Sequence, residues 1–230
     1  MRAGPLLALV ALLSGTACAK KQICEIPADL PRPMLEGPTA SEPRRLLPIG
    51  GYTLALSWTP EHCASRMTNP RDQFQCDGKA ATFGFTLHGL WPDGEGERWP
   101  QYCSPARLVP ETVIRAHLCS TPSVQLLQHE WEKHGTCMAK RPADYFAKSG
   151  ALFAALRFPE MKNYRGKPLS AAAFKQAFAT ANQGMRADQI KLKVRDGWLE
   201  EVWLCLDRKL ERTACRARGS GPAIEMINIR

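Results

Sequence analysis

The chain has 230 residues, a formal net charge of +9 and 44% hydrophobic residues. No apolar run approaches the ~20 residues that cross a bilayer, so a membrane-spanning protein is excluded and a soluble one is expected. A basic surface attracts polyanions such as nucleic acid, anionic lipid or acidic glycans, although charge alone fits an ordinary basic soluble protein equally well.

The beginning of the chain predicts a secretory signal peptide over residues 1–19. Arg2 precedes the apolar run Leu6–Leu13, and the sequence ACA at residues 17–19 has the small-x-small form of a cleavage site. We expect cleavage after residue 19. The alternative is lipidation of Cys18, which is disfavoured because Gly15 stands where a lipoprotein signal normally has leucine.

The cysteine content supports export independently. The sequence has nine cysteines, and losing Cys18 with the signal leaves an even number without any C-x-x-C pair. This pattern predicts four disulfides and an oxidising compartment, so the protein is expected to be secreted or periplasmic. Spacing alone leaves the connectivity open. The remaining cysteines are Cys24, Cys63, Cys76, Cys103, Cys119, Cys137, Cys205 and Cys215.

Residues 20–48 are predicted to form a proline-rich N-terminal extension. The stretch from Pro27 to Pro48 has few periodic apolar residues, which is typical of an extended tether. A disulfide at Cys24 would fix its N-terminal end to the body. Residues 49–230 contain no repeat and no second linker, which predicts a single domain.

The apolar pattern of that domain predicts strands at both ends and helices between them. YTLALSW (residues 52–58) and TFGFTLH (82–88) alternate as strands do, and IKLKV (190–194), the Asp196-Gly197 pair and WLEEVWLCLD (198–207) predict a hairpin. Helices are predicted over residues 110–118, 122–134, 144–156 and 170–180. This order indicates an α+β fold with a central, largely antiparallel sheet and several packed helices.

His88 closes the second predicted strand. The bulky residues of this strand share one face: Phe83, Phe85 and Leu87. His88 is therefore expected to point out of the core from the opposite face. Gly89 and Pro92 are expected to break the strand there and to turn the chain, which would present Trp91 beside the histidine.

HEWEKHGTC (residues 129–137) concentrates ionisable residues in a short stretch. A zinc-binding H-E-x-x-H helix has its histidines four residues apart. His129 and His134 are five apart, which separates them by roughly 140° around an unbroken helix. A zinc hydrolase therefore remains as a disfavoured alternative.

The helix that carries this stretch is predicted to have Thr121 as its N-cap and to stop at Gly135. Its apolar face is formed by Val124, Leu127 and Trp131, and its roughly opposite face by His129, Glu130, Lys133 and His134. Side chains four apart on this polar face can touch. Charged residues on a helix face are usually solvated, but together with His88 they form a set suited to acid/base chemistry on an anionic substrate.

FTLHGLWP (residues 85–92) and HEWEKHGTC (129–137) resemble the two active-site segments of the ribonuclease T2 family, the secreted acid-to-neutral endoribonucleases. The ALSW strand, the YC pair at Tyr102 and Cys103 and the EVWLCLD strand extend the resemblance over about residues 51–207. The proline-rich stretch from Pro27 to Pro48 is not part of the family pattern.

The resemblance implies transesterification that leaves 2′,3′-cyclic phosphate ends. His134 would remove the proton of a ribose 2′-OH, and His88 would protonate the departing 5′-oxygen, although the sequence does not fix which histidine does which. Lys133 would stabilise charge on the phosphoryl oxygens, Glu130 would tune His134 or share a proton, and His129 would hold phosphate.

The resemblance also implies the substrate and the partners. DNA lacks the attacking hydroxyl, and single-stranded RNA is favoured because a base can stack on Trp91 while Asp93 makes polar contacts. We expect broad base preference, no metal, no cofactor, no membrane span and a monomer. The alternative from another class is a non-catalytic protein on the same fold that binds RNA or other polyanions.

The family pattern suggests the disulfides as well. It pairs Cys103 with Cys137, which would brace the catalytic helix, and Cys205 with Cys215. Cys63 with Cys76 is expected as a local pair, together with Cys24 and Cys119.

Overall fold

The computed structural model describes residues 24–79, 81–216 and 225–230. The predicted signal peptide, with its cleavage site and Cys18, lies outside these residues. The strands are β1 (Ile49–Trp58), β2 (Phe85–Gly94), β3 (Leu169–Ser170), β4 (Ile190–Arg195), β5 (Trp198–Leu206) and β6 (Met226–Ile227). The α-helices are α1 (Thr59–Cys63), α2 (Gln73–Cys76), α3 (Glu111–His117), α4 (Val124–Lys133), α5 (Pro142–Ala154) and α6 (Ala171–Thr180).

The centre of the fold is a four-stranded sheet in the order β2-β1-β5-β4, in which every pair is antiparallel. β4 and β5 form the predicted hairpin, and its turn residues Asp196 and Gly197 both have positive φ, 51° and 80°. Such a turn matches the twist of the two strands. The α+β architecture predicted from the sequence is confirmed.

The two faces of the sheet have different roles. One face, which includes Leu54, Leu56 and Leu204, belongs to the hydrophobic core that also contains Leu127 of α4 and Phe174 of α6. Because side chains alternate along a strand, a different set of side chains lies on the other face. In the register of β1, β5 and β4, this set includes Ser57, Glu201 and Lys193 in one row and Ala55, Trp203 and Lys191 in the next.

The predicted end of the second strand is wrong. β2 does not turn at Gly89 and Pro92 but continues to Gly94. Leu56 of β1 pairs with Leu87, but the neighbouring Ala55 pairs with Gly89. His88 is therefore an extra residue in β2 and forms a β-bulge. A bulge re-aims a side chain without ending the strand, and an edge strand such as β2 can accommodate proline.

All four predicted helices are present, but α4 begins later than expected. Its N-cap is Ser123, whose hydroxyl accepts a hydrogen bond from the Leu126 amide at 3.2 Å. The predicted N-cap, Thr121, instead donates its hydroxyl to the Leu87 carbonyl at 2.9 Å. This bond ties the start of α4 to β2 next to His88.

The four expected disulfides are confirmed: Cys24–Cys119, Cys63–Cys76, Cys103–Cys137 and Cys205–Cys215. Cys137 belongs to the 3₁₀ turn Gly135–Cys137 that follows α4, so its disulfide braces the end of that helix. The described part of the extension, from residue 24, has little regular structure but is not a free tether. Met34 exchanges hydrogen bonds of 2.8 and 2.9 Å with the Gln125 side chain of α4.

Among the described residues, none of the helices combines the length and the apolar character needed to cross a membrane.

Candidate active site

A cavity of about 760 Å³ opens on the face of the sheet opposite the core. It brings together every site residue predicted from the sequence: His88, Trp91, Asp93, His129, Glu130, Lys133 and His134. The cavity is also lined by residues of β4 and β5, including Lys191, Lys193 and Trp203. The two histidine-containing segments, residues 85–92 and 129–137, and the β4–β5 hairpin therefore line one cavity.

His88 lies between two carboxylates. Its Nδ1 is 2.7 Å from Glu201 Oε1, and its Nε2 is 3.5 Å from Glu130 Oε1. Burial alone would lower the pKa of His88, but the hydrogen bond to Glu201 and the negative charges of Glu130 and Glu201 raise it above its ordinary value. His88 is thereby favoured as a protonated imidazole near neutral pH.

Glu201 is a site residue that is not foreseen from the sequence. Its side chain is only 5% exposed, and its Oε2 accepts the indole N–H of Trp203 at 2.6 Å. Burial alone would raise the pKa of Glu201, but the hydrogen bond and charge of His88 and the charge of Lys193 lower it. An ionised carboxylate can only accept, so Nδ1 of His88 carries a proton and Nε2 is the atom that exchanges one.

Glu130 is fully enclosed rather than solvated. Its Oε2 accepts the indole N–H of Trp91 at 2.9 Å and the hydroxyl of Tyr145 at 3.4 Å. Burial raises the pKa of Glu130, an effect that the positive charges of His88 and His129 partly offset. The Glu130 carboxyl lies 3.5 Å from His88 Nε2, whereas the resemblance implies that Glu130 tunes His134 or shares a proton.

Gly89 explains how Glu130 comes so close to β2. A Cβ at Gly89 would lie 1.8 Å from Glu130 Oε2 and 2.8 Å from Trp91 Nε1. Only glycine leaves room for the carboxyl under the strand. The glycine of HGLWP is therefore required for the contact between β2 and α4 and does not mark a turn.

His134 caps the C-terminus of α4, and its side chain is buried. These residues of the polar helix face are not solvated, because His134 is 6% and Glu130 is 1% exposed. Among the described residues, His134 Nδ1 has no hydrogen-bond partner. Burial, together with the positive charges of Lys133, His129 and His88, holds the pKa of His134 well below its ordinary value. His134 is thus favoured as a neutral imidazole.

Trp91 packs close to both histidines. Its ring centroid is 5.0 Å from that of His88, 5.6 Å from that of His134 and 5.4 Å from that of Trp203. The ring is partly exposed to the cavity. Asp93, two residues further along β2, accepts a hydrogen bond from the Thr53 hydroxyl at 2.8 Å.

The two remaining basic residues of α4 are paired with the N-terminal extension. His129 Nδ1 is 2.5 Å from Glu36 Oε2, and Lys133 Nζ is 2.6 Å from Glu42 Oε1. The apolar pattern gives no signal for these contacts, because they join residues more than 90 positions apart. Within the ranges that the structure describes, no group of three or more His, Cys, Asp or Glu side chains could hold a metal ion.

Comparison with known proteins assigns the family. The sequence model of the Ribonuclease T2 family matches residues 49–215. A protein named "Probable ribonuclease" from Haemophilus influenzae is 33% identical over 184 residues, which cover 74% of this chain and 62% of that protein. A "Ribonuclease" from Aeromonas hydrophila is 34% identical over 164 residues, which cover 69% of this chain and 72% of that protein. The match thus spans slightly less than two thirds of the Haemophilus protein.

The solved structures agree on the fold. An RNase-related protein from Calystegia sepium aligns with a TM-score of 0.60 at 22% identity, over 78% of this chain and 96% of that one. The family match and the two relatives, rather than the fold, place the chain in the ribonuclease class of proteins. The chain belongs to the ribonuclease T2 family.

Proposed function

We propose that this chain is an exported, metal-independent endoribonuclease that cleaves single-stranded RNA by transesterification. The observation that carries the proposal is that one cavity brings together His88, which lies between two carboxylates, and the buried imidazole of His134. The pKa of His88 is raised and that of His134 is lowered. Titratable groups whose surroundings push their pKa values apart are suited to serve as the acid and the base of one reaction.

In the proposed mechanism, neutral His134 removes the proton of a ribose 2′-OH. The freed oxygen attacks the adjacent phosphorus, the bond between phosphorus and the 5′-oxygen breaks, and protonated His88 gives its Nε2 proton to that oxygen. The products are a 2′,3′-cyclic phosphate and a free 5′-OH. The sequence left the two roles open, and the pKa directions support this assignment.

Three further residues have supporting roles in the proposal. Glu201 holds the ring of His88 through Nδ1 and stabilises its charged form. Glu130 contacts the same histidine on its other side, and its raised pKa allows it to share a proton with His88 or with a phosphoryl oxygen. Lys133 supplies a cation for the charge that develops on the phosphoryl oxygens.

The cavity also supports the substrate class. The exposed part of the Trp91 ring offers a surface on which a base can stack, and Asp93 lies on the same strand for polar contacts. Stacking accepts every base, which supports broad base preference, and it requires a base that has left its own stack. His129 contributes a further contact to phosphate.

Export is proposed on two grounds. The sequence begins with a signal-like segment over residues 1–19, and the described chain contains four disulfides. Disulfides persist in oxidising compartments such as the periplasm or the outside of the cell.

One assay separates this proposal from its alternatives. Homopolymer RNA is incubated with the mature protein in excess EDTA at about pH 6, near the ordinary pKa of an imidazole, and the ends are examined for cyclic phosphate. We expect cleavage with all four homopolymers, and a loss of several powers of ten in rate for His88→Ala and for His134→Ala while RNA binding persists. Cleavage abolished by EDTA would indicate the zinc hydrolase, and binding without cleavage at any pH would indicate the non-catalytic binder.

A further inference from the structure

The strap, defined here as residues 34–45 of the extension, lies along one edge of α4. Gln125, His129 and Lys133 are spaced four residues apart, so they follow one line along the helix. Glu36 reaches the first two of them, with Gln125 Nε2 at 2.7 Å and His129 Nδ1 at 2.5 Å. Glu42 reaches the third, Lys133 Nζ, at 2.6 Å. Each of these three side chains thus contacts a carboxylate of the strap.

The position of the strap is also fixed by hydrogen bonds of its backbone. The amides of Glu36 and Gly37 both donate to Glu132 Oε2, at 3.1 and 2.9 Å. Gly37 has φ +69°, a conformation that glycine adopts without strain. At the other end, the Arg45 amide and carbonyl pair with those of Gln101 at 3.0 Å each.

Both strap carboxyls are anionic at working pH. Burial alone would raise the pKa of Glu36, but hydrogen bonds from His129 and Gln125 lower it. The hydrogen bond from Lys133 lowers the pKa of Glu42. An anionic oxygen at hydrogen-bond distance from His129 or Lys133 is also what a phosphodiester presents to a basic side chain. The carboxylates therefore occupy the contacts that the proposed function assigns to RNA phosphates.

We propose that Glu36 and Glu42 compete with RNA phosphates for His129 and Lys133, and so restrain the affinity of the enzyme for its substrate. The proposal rests on the proposed function, because it takes RNA as the ligand. In the free protein the strap carboxylates contact both basic side chains. When RNA binds to this edge of α4, phosphate oxygens replace the two carboxylates as partners of His129 and Lys133. The carboxylates then turn to solvent, to which both side chains are already partly exposed.

The test is the dissociation constant for a 2′-O-methyl oligoribonucleotide. This ligand has RNA phosphates but no attacking hydroxyl, so its binding is read independently of cleavage. The full mature chain is compared with Glu36→Gln/Glu42→Gln, which keeps the size of both side chains but removes their charge. The matched control is Glu111→Gln/Glu160→Gln, which removes two exposed charges paired with Arg115 and Lys162 instead.

We expect the strap variant to bind the oligonucleotide at least about fivefold more tightly than the control variant, since two partly exposed ion pairs no longer have to be broken. Equal, weaker or undetectable binding by the strap variant would overturn the proposal, because the carboxylates would then merely hold the two basic side chains in place. A wild-type protein that fails to cleave RNA would refute the proposed function without affecting this comparison.

A second pair of variants separates strap conformation from charge. A Cβ at Gly37 or at Gly166 would meet nothing within 4 Å, but both residues have positive φ, +69° and +78°. Gly37→Ala therefore strains the strap, whereas Gly166→Ala applies the same strain to a loop that does not line the cavity. We expect tighter oligonucleotide binding for Gly37→Ala than for Gly166→Ala. Identical dissociation constants for the two variants would contradict the proposal that the docked strap competes with RNA.

Discussion

At the residue scale, the orientation and charge of His88 depend on a carboxylate 113 positions further along the chain, that of Glu201. The indole N–H of Trp203 holds the second oxygen of Glu201, so the carboxylate cannot easily rotate away from the imidazole. The hydrogen bond between Glu201 and His88 Nδ1 selects the form of the imidazole in which Nε2 is the atom that exchanges a proton. Glu201 is therefore a positioning residue, which acts through His88.

Glu201→Gln is expected to lower kcat/KM by about tenfold or more, because an amide holds the ring less firmly and does not stabilise its charge. The pH profile of kcat/KM distinguishes this positioning role from a general loss of activity. A protonated acid is lost as the pH rises through its pKa, so the alkaline limb reports His88 and should move to lower pH in the variant. The acid limb, assigned to His134, should stay.

Glu200→Gln is the matched control for this variant. Glu200 is the neighbouring residue on β5 and pairs with Lys193 and Arg195. We expect the control to leave the alkaline limb where it is in the wild-type protein. An unmoved alkaline limb in Glu201→Gln would refute the positioning role, even if the activity of that variant were lower.

At the element scale, the site depends on how closely β2 lies against α4. The bulge at His88 turns the imidazole toward the cavity, and Gly89 lets the buried carboxyl of Glu130 pass beneath the strand. The hydroxyl of Thr121 fixes the start of α4 to the carbonyl of Leu87. Both active-site segments are thus joined by contacts within a few residues of the histidine.

Gly89→Ala tests this arrangement. The added methyl group would lie 1.8 Å from Glu130 Oε2, so either β2 or the carboxyl must move. We expect a loss of about 1–3 kcal/mol in the free energy of unfolding, as for other overpacked sites, together with a fall in kcat. Denaturant titration and steady-state kinetics measure the two effects.

Gly84→Ala provides the comparison in the same segment. A Cβ there would make an ordinary van der Waals contact with the Trp58 ring at 3.6 Å. We expect this variant to remain close to the wild-type protein in stability and rate. If Gly89→Ala behaved in the same way as Gly84→Ala, the close approach of β2 and α4 would not matter for the site.

At the scale of the whole molecule, local patterns account for much of the fold but for less of the site. Alternation predicted β1, β4 and β5, and helical periodicity predicted α4 with Leu127 in the core. Alternation could not show the bulge in β2, because a bulge appears only when the partner strand is known. The histidines of the two motifs could be found from the sequence because each lies within one short segment. The helices could be found for the same reason.

The missed contacts all connect distant parts of the chain. Glu201 meets His88 only after the closing hairpin joins the sheet, and Glu36 meets His129 only after the extension docks on α4. Neither carboxylate belongs to a local pattern that distinguishes it from a solvated one. Their roles follow from the assembled molecule, in which the hairpin, the helix and the extension each contribute charge to the same site.

The central claim is that His134 and His88 act as base and acid on opposite sides of one phosphodiester. The most direct measurement is the single-turnover rate on an RNA in which sulfur replaces the 5′-oxygen of the scissile bond. A thiolate leaves without being protonated, so this substrate needs the base but not the acid.

We predict that the sulfur substrate restores most of the rate of His88→Ala and leaves His134→Ala slower by several powers of ten. Restoration of His134→Ala instead, or of neither variant, would contradict the account.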